Sequence, residues 1–236
     1  MAAMSKLKAF VLALVISAGA MHADIATAQQ SNSVRIGWLP DPNVGLYLAR
    51  EKKLFEKAGL QPEYIKFLSG PATFSALQSK SVDIAEFGMP PSIIAKSQGI
   101  DIKVVAVSVD VSNTDVLVSQ SDQTIKSPSD LRGKRVATVR GSSDYFGLIQ
   151  YLKEGGLELK DIQFLDISAQ NIVPAFRGKE LDAAWIWSPW QNMLLGLGGK
   201  RVTSNFERGV FVPRCCLQYR RQSGIQVTRQ PTSKSF

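Results

Sequence analysis

The chain has 236 residues and a formal net charge of +8, from 28 Lys and Arg against 20 Asp and Glu, with two cysteines and one histidine. The excess is local: residues 213–236 hold Arg214, Arg220, Arg221, Arg229 and Lys234 and no acid, so the tail supplies +5 and the rest +3, which argues against a nucleic-acid or membrane-surface protein. The only histidine, His22, falls in an expected leader, so the mature chain is read as lacking imidazole, which removes Ser-His-Asp and Cys-His catalysis and most zinc sites.

Residues 1–28 read as a cleavable export signal. Lys6 and Lys8 precede the apolar run Ala9 to Ala20, and Ala26-Thr27-Ala28 offers a small-x-small cleavage site before Gln29. The run is shorter than the roughly 20 residues a spanning helix needs, and no cysteine near the cleavage site could accept a lipid. A free periplasmic protein is expected.

From Val34 short apolar strands alternate with helical stretches. Val34 to Trp38 is a strand, and Gly45 to Ala58 a helix with Leu46, Tyr47, Ala49, Leu54 and Phe55 on one stripe, ended by Gly59. Strand Gln61 to Phe67, helix Pro71 to Ser79, strand Val82 to Phe87, helix Pro91 to Gln98 and strand Val104 to Val109 follow, the signature of a parallel sheet covered by helices. Asp115 to Ser119 is another strand, and Ser127 to Gly133 a capped turn. A second α/β run comprises strand 135–139, helix 143–154, strand 162–167, a short helix at Ile172 to Arg177 and strand Ala183 to Trp187. The expected organisation is lobe 1 over 33–113, lobe 2 over 114–205, and a return segment with a disordered basic tail over 206–236. Cys215 and Cys216 are adjacent, a spacing that a relaxed disulfide does not favour, so no disulfide scaffold is expected.

In open α/β sheets ligands sit beyond the carboxyl ends of the strands, where loops lead into helix N-termini. The loops there are Pro40 to Asn43, Ser69-Gly70-Pro71, Gly88-Met89-Pro90-Pro91-Ser92, Gly141 to Tyr145 and Trp185 to Trp190. Gly141-Ser142-Ser143 is the strongest: a strand turns at a glycine and reopens as a helix led by two hydroxyls, with bare N–H groups fit for an anion. Any one such loop is more often an ordinary cap; repetition at successive strand ends favours a site. Trp187 could wall a pocket or face core, and Trp185 and Trp190 have the weaker claim. Asp83 and Asp182 stand in matching contexts at the amino ends of strands and read as structural, whereas Glu86 and Asp144 lie nearer the ligand edge, where each could pair with a ligand amine or simply cap. No GxxxxGK(S/T), GxGxxG or HExxH pattern occurs, so nucleotide and zinc-protease chemistry lack support.

The stretches Phe55 to Leu60, Asp83 to Pro91, Ser127 to Ala137, Gly141-Ser142-Ser143 and Asp182 to Pro189, in this order and spacing, resemble the periplasmic solute-binding proteins of ABC transporters for taurine, aliphatic sulfonates and nitrate, which share a fold with thiamine-precursor binding proteins. The resemblance runs from about Val34 to Ser204. It implies a two-lobed α/β fold of the type II periplasmic binding protein class, C-terminally truncated here. It also implies a clamp with two hinge strands that closes on a small anion, without catalysis, cofactor or metal, in a monomer that docks transiently on an inner-membrane permease. The ligand-binding candidates are Asn43, Ser69, Gly70, Gly88, Met89, Gly141, Ser142, Ser143 and Trp187. Met89 and Pro90 stand where the family has small polar residues, and Pro90 and Pro91 remove two donors, so the lobe 2 serines are the better half of the site. Family members continue for roughly a hundred residues more; Val210 to Pro213 resembles the start of their return strand, after which the pattern is lost, as a frameshift or truncation would produce. Two alternatives stand beside the binding protein: a truncated, non-functional fragment, and an enzyme like the thiamine-pyrimidine synthase of the same fold, which the missing histidine disfavours. Glu86 or Asp144 facing the anion would favour taurine, and an apolar pocket from Trp187 and Phe146 would favour alkanesulfonates.

Overall fold

The computed structural model describes residues 32–40 and 44–211, and the backbone of 213–219. The expected signal over 1–28, Asn43 and the tail beyond Tyr219 lie outside the described residues. Two five-stranded sheets build the molecule.

In lobe 1, β1 (Ser33–Trp38) lies parallel between β2 (Gln61–Lys66) and β3 (Ile84–Phe87), with Ile36 opposite Tyr64 on one side and Ile84 on the other. Helices α1 (Val44–Glu51) and α2 (Leu54–Lys57) connect β1 to β2, α3 (Gly70–Gln78) connects β2 to β3, and α4 (Met89–Ser97) leads to edge strand β4 (Lys103–Asp110). In lobe 2, β6 (Arg135–Thr138) lies parallel between β7 (Gln163–Asp166) and β8 (Ala183–Ile186), connected by α5 (Ser143–Glu154) and α6 (Ala169–Arg177); α7 (Trp190–Gly196) leads to β9 (Lys200–Ser204).

Each sheet is completed by a strand that enters from the other lobe. β5 (Val116–Ser119) follows lobe 1 and pairs antiparallel with β8 and β9; β10 (Pro213–Tyr219) follows lobe 2 and pairs antiparallel with β3 and β4. The orders are β2-β1-β3-β10-β4 and β7-β6-β8-β5-β9. Two segments therefore lead from one lobe toward the other, 111–115 and 205–211, and the Phe206 N–H donates to the Ser112 carbonyl (3.0 Å), tying them together.

The matching acids do matching work. Asp83 accepts from the Arg35 backbone N–H (2.8 Å) and from its guanidinium (Nε 3.0 Å, Nη2 2.8 Å), and Asp182 does the same for Arg135 (2.7, 3.3 and 2.8 Å). Each fork locks the start of a third strand to the start of a first. The hydrogen bond from Arg135, with its positive charge and backbone N–H, holds the Asp182 carboxyl below the ordinary aspartate range, while the guanidinium of Arg135 is raised.

All four residues of β8 are buried, as a sheet covered on both faces demands, and successive side chains alternate between the faces. Ala183 and Trp185 pack with Leu148, Tyr151 and Leu152 of α5; Ala184 and Ile186 pack with Ile172 and Phe176 of α6 and Leu194 of α7. In lobe 1 one face is filled by Leu77, Val82, Ala85, Phe87 and Ala95, but the other buries only Val34, Ile36 and Leu46 as its cluster. Among the described residues no helix is long and apolar enough to cross a membrane.

Four departures from the sequence reading have local causes. The helix expected over 45–58 is two, because Lys53 adopts a left-handed conformation (φ 51°) and ends the first. The helix expected from Ile172 begins at Ala169, since Ser168 supplies the extended entry and Pro174 is absorbed within it. α7 and β9 were not expected, being short and, for β9, carrying one apolar residue, Val202, in an edge strand. Regular structure expected to stop at Pro213 continues through Tyr219: a strand inserted between β3 and β4 gains backbone ladders on both sides, an interaction that needs no apolar period.

Candidate functional site

α5 starts where the chain leaves β6 through Gly141, whose φ of 78° suits a residue without a Cβ. Ser142 then takes an extended backbone and its Oγ accepts from the Tyr145 N–H (3.2 Å), so one of the orphan donors of the first turn is satisfied by the cap. The first intrahelical bond runs from the Phe146 N–H to the Ser142 carbonyl (3.3 Å), which leaves the Ser143 N–H ahead of the helical ladder. Ser142 and Ser143 are both buried, at 5% and 3% exposure.

Across the cleft stand two glycine-led helix starts of lobe 1. Ser69 caps α3, accepting from the Ala72 N–H (3.4 Å), and Gly70 is the first helical residue. α4 opens at Gly88 without a side-chain cap, and Pro90 and Pro91 carry no N–H; Ser92 turns its Oγ back onto the Gly88 carbonyl (3.4 Å). The two lobes touch here: a Cβ on Gly88 would lie 3.3 Å from Ser143 Oγ, and one on Gly141 would lie 3.8 Å from Pro71.

Together Leu39, Gly70, Gly88, Pro91, Ser142, Ser143 and Trp187 enclose a cavity with about 10 Å³ of free space, room for a single water. Of the nine candidate residues, five line it: Gly70, Gly88, Ser142, Ser143 and Trp187. Ser69 supports Gly70 from the cap, Met89 is half-buried at the start of α4 and outside the lining, and Gly141 belongs to a neighbouring groove. Leu39 and Pro91 complete the wall, and neither was a candidate; their only signal was position beyond a strand end. Trp187 is 3% exposed and packs in the core of lobe 2 while forming one wall, so core and pocket are the same surface of this ring. Trp185 lies on the opposite face of the sheet, edge-on to Tyr151.

Beside the cavity a groove of about 550 Å³ runs between α4 and α5, lined by Pro90, Ile93 and Ile94 on one side and Tyr145, Phe146 and Ile149 on the other, with Arg140, Gly141 and Ser142 at its base. Arg140 is fixed by Asp166 (Nε to Oδ2, 3.1 Å) and by Tyr145 Oη (3.3 Å), and its guanidinium lies over the Tyr145 and Phe164 rings. Glu86 and Asp144 are fully buried and line neither space. Among the described residues no group of three or more His, Cys, Asp or Glu is gathered as for a metal ion.

Comparison with known proteins places this geometry. A curated relative from Escherichia coli (strain K12) that is named for aliphatic sulfonates binding is 31% identical over 180 residues, covering 75% of this chain and 56% of its own. The taurine-binding periplasmic protein of the same organism is 27% identical over 185 residues, covering 78% and 57%. The alkanesulfonate-binding protein SsuA from Xanthomonas axonopodis pv. citri, solved bound to MOPS, superposes with a TM-score of 0.71 at 26% identity, covering 80% of this chain and 66% of that one. This chain thus spans little more than half the length of the curated relatives it matches. The family model described as "NMT1/THI5 like" matches residues 42–219, three quarters of the sequence, and the chain belongs to that family.

Proposed function

We propose that this chain is the solute-capturing component of an ABC importer in the periplasm, which holds a small oxoanion, a sulfonate before nitrate, between its two lobes. The observation that carries the reading is the pair Ser142 and Ser143 at the positive end of a twelve-residue helix, facing the bare glycine starts of α3 and α4 across the cleft. The anion takes the Ser143 N–H and the two hydroxyls, while Gly70 and Gly88 let the lobe 1 backbone come close; Met89 and Gly141 act from the rim. Trp187 closes the floor.

The cavity is smaller than any sulfonate, so the lobes part to admit the ligand, bending at 111–115 and 205–211. Binding is followed by release of the same molecule to a permease, with no bond made or broken. The names of the relatives support sulfonate and taurine as the first ligands to try, and the periplasmic name of the taurine-binding relative supports export through a signal cleaved before Gln29.

Titration calorimetry of the purified chain with methanesulfonate, taurine and nitrate tests this. Binding at 1:1 is expected for at least one, and the double change Ser142→Ala with Ser143→Ala weakens it about tenfold or more, since each charge-assisted donor contributes about 1.5–3 kcal/mol. Absence of binding by the unaltered chain, or equal affinity in the double variant, overturns the reading.

A further inference from the structure

Edge strands end both sheets, and β2, β7 and β9 each carry something that keeps a further strand away. β2 has Pro62, which offers no N–H, with Glu63 and Lys66; β7 is short and ends in Asp166; β9 opens on Lys200 and Arg201. β4 has no proline and no charge inside its ends. It runs for eight residues, and between Lys103 and Asp110 it reads Val-Val-Ala-Val-Ser-Val. Val104, Val105 and Val107 are 49%, 39% and 56% exposed, and among the described residues no strand lies beyond it.

The strand is also complementary to its own reverse. Lys103, Val107 and Asp110 stand opposite Tyr219, Cys216 and Pro213 of β10, evenly spaced because the register shifts between Leu217 and Gln218. Lys103 and Asp110 therefore lie on one face, equally far along the ladder from Val107. Hydrogen-bonded and non-bonded pairs alternate in an antiparallel ladder, so a two-fold axis through one must place a residue opposite its own copy. With Val107 at the axis, Val104 meets Val109 of the copy, and Lys103 meets its Asp110 at both ends. The Asp110 side chain is exposed, and its Oδ1 accepts from the Ser112 N–H (2.9 Å), which holds the carboxylate in place.

We infer that β4 pairs antiparallel with β4 of a second copy of this chain, centred on Val107, and joins the two lobe 1 sheets into one. This departs from the single copy that the resemblance implies. No residue lining the cavity belongs to β4, so the pairing leaves the cleft untouched and is independent of the anion reading. One strand pairing buries less than the roughly 1,200 Å² of lasting complexes, so the dimer forms at tens of micromolar and is apart at about 1 µM, where denaturation reads the single chain.

Sedimentation velocity of the purified chain from about 1 to about 200 µM tests it, the mass being expected to rise from one chain toward two. Val107→Lys sets two cations together at the axis and should weaken pairing about tenfold or more. Lys103→Glu and Asp110→Lys each put like charges at both ends and should weaken it about fivefold, whereas the two variants mixed should pair as well as the unaltered chain, because every end is then opposite in sign. A chain that stays single to about 200 µM overturns the inference. So does a dimer that Val107→Lys leaves intact, or a pair of charge variants of unaltered thermal melt that fail to rescue each other.

Discussion

Both lobes set three parallel strands beside an antiparallel newcomer and an edge strand, and both fasten the first strand to the third with an arginine forked onto an aspartate. Yet the equivalent surfaces differ. β5, β6 and β8 of lobe 2 are buried almost throughout between α5 on one face and α6 and α7 on the other, and its edge strand β9 still buries Thr203 and Ser204, whereas the matching edge strand β4 of lobe 1 leaves Val104 49% and Val107 56% exposed. The jaws differ too: α5 offers two hydroxyls and a Ser143 N–H ahead of its ladder, and α4 two prolines. Strand order and backbone pairing are therefore separable from the closing of a core and from the chemistry of a loop; the same framework supports a filled lobe with donors and a half-covered one without.

The largest expected effect falls in the filled lobe. Trp185→Ala empties the face shared with Leu148 and Tyr151 and should cost about 3–5 kcal/mol in urea denaturation, while Val107→Ala in β4 should cost under about 0.5 kcal/mol. Comparable losses at the two positions would show that β4 is covered in solution and would remove the contrast.

Next come the forks, where the lobes should agree. Asp83→Asn and Asp182→Asn are each expected to lower stability by about 1–2 kcal/mol, the lower part of the range for charge-assisted hydrogen bonds, because Arg35 and Arg135 keep 34% and 40% exposure. Acid separates the protonation states. The carboxyl of Asp182 titrates below its unfolded value, so its contribution is present above about pH 4 and is lost as pH falls through the folded pKa. Denaturation midpoints between pH 6 and 3 should fall less steeply in Asp182→Asn than in the unaltered chain; parallel curves would mean that the fork contributes nothing in acid.

The smallest effect is at the contact between jaws. In Gly88→Ala the new methyl meets Ser143 Oγ at 3.3 Å, a side-chain end that can rotate away, so stability should change by under about 0.5 kcal/mol while methanesulfonate affinity drops a few-fold through hindered closure. Unchanged affinity would mean that the jaws do not need this approach.

The parts of the fold legible in the sequence were those that announce themselves locally. Val34 to Trp38, Val136 with Ala137, and the stripe through Leu148, Tyr151 and Leu152 carry their period, and Ser142 carries its cap. The end of α1 at Lys53 did not show, because a left-handed lysine has no Gly or Pro to mark it. β10 did not show either, since its place is set by β3 and β4, far back along the chain. At the site the hydroxyl jaw was readable from Gly141-Ser142-Ser143 alone, but the groove was not: Ile93 and Ile94 look like any apolar pair on a helix until Phe146 and Ile149 of another helix are set opposite them.

The insertion of β10 also orders events in time. Lobe 2 is continuous from Val116 to Ser204 and has all its strands as soon as that stretch has emerged, whereas lobe 1 lacks the strand between β3 and β4 until the chain has passed Tyr219. A polypeptide delivered from its amino end therefore finishes its second half first, and its earlier half waits with two unpaired strand edges facing each other. In that interval the open seam is the part of the molecule most exposed to capture by a chaperone, or by the same seam of a neighbouring chain.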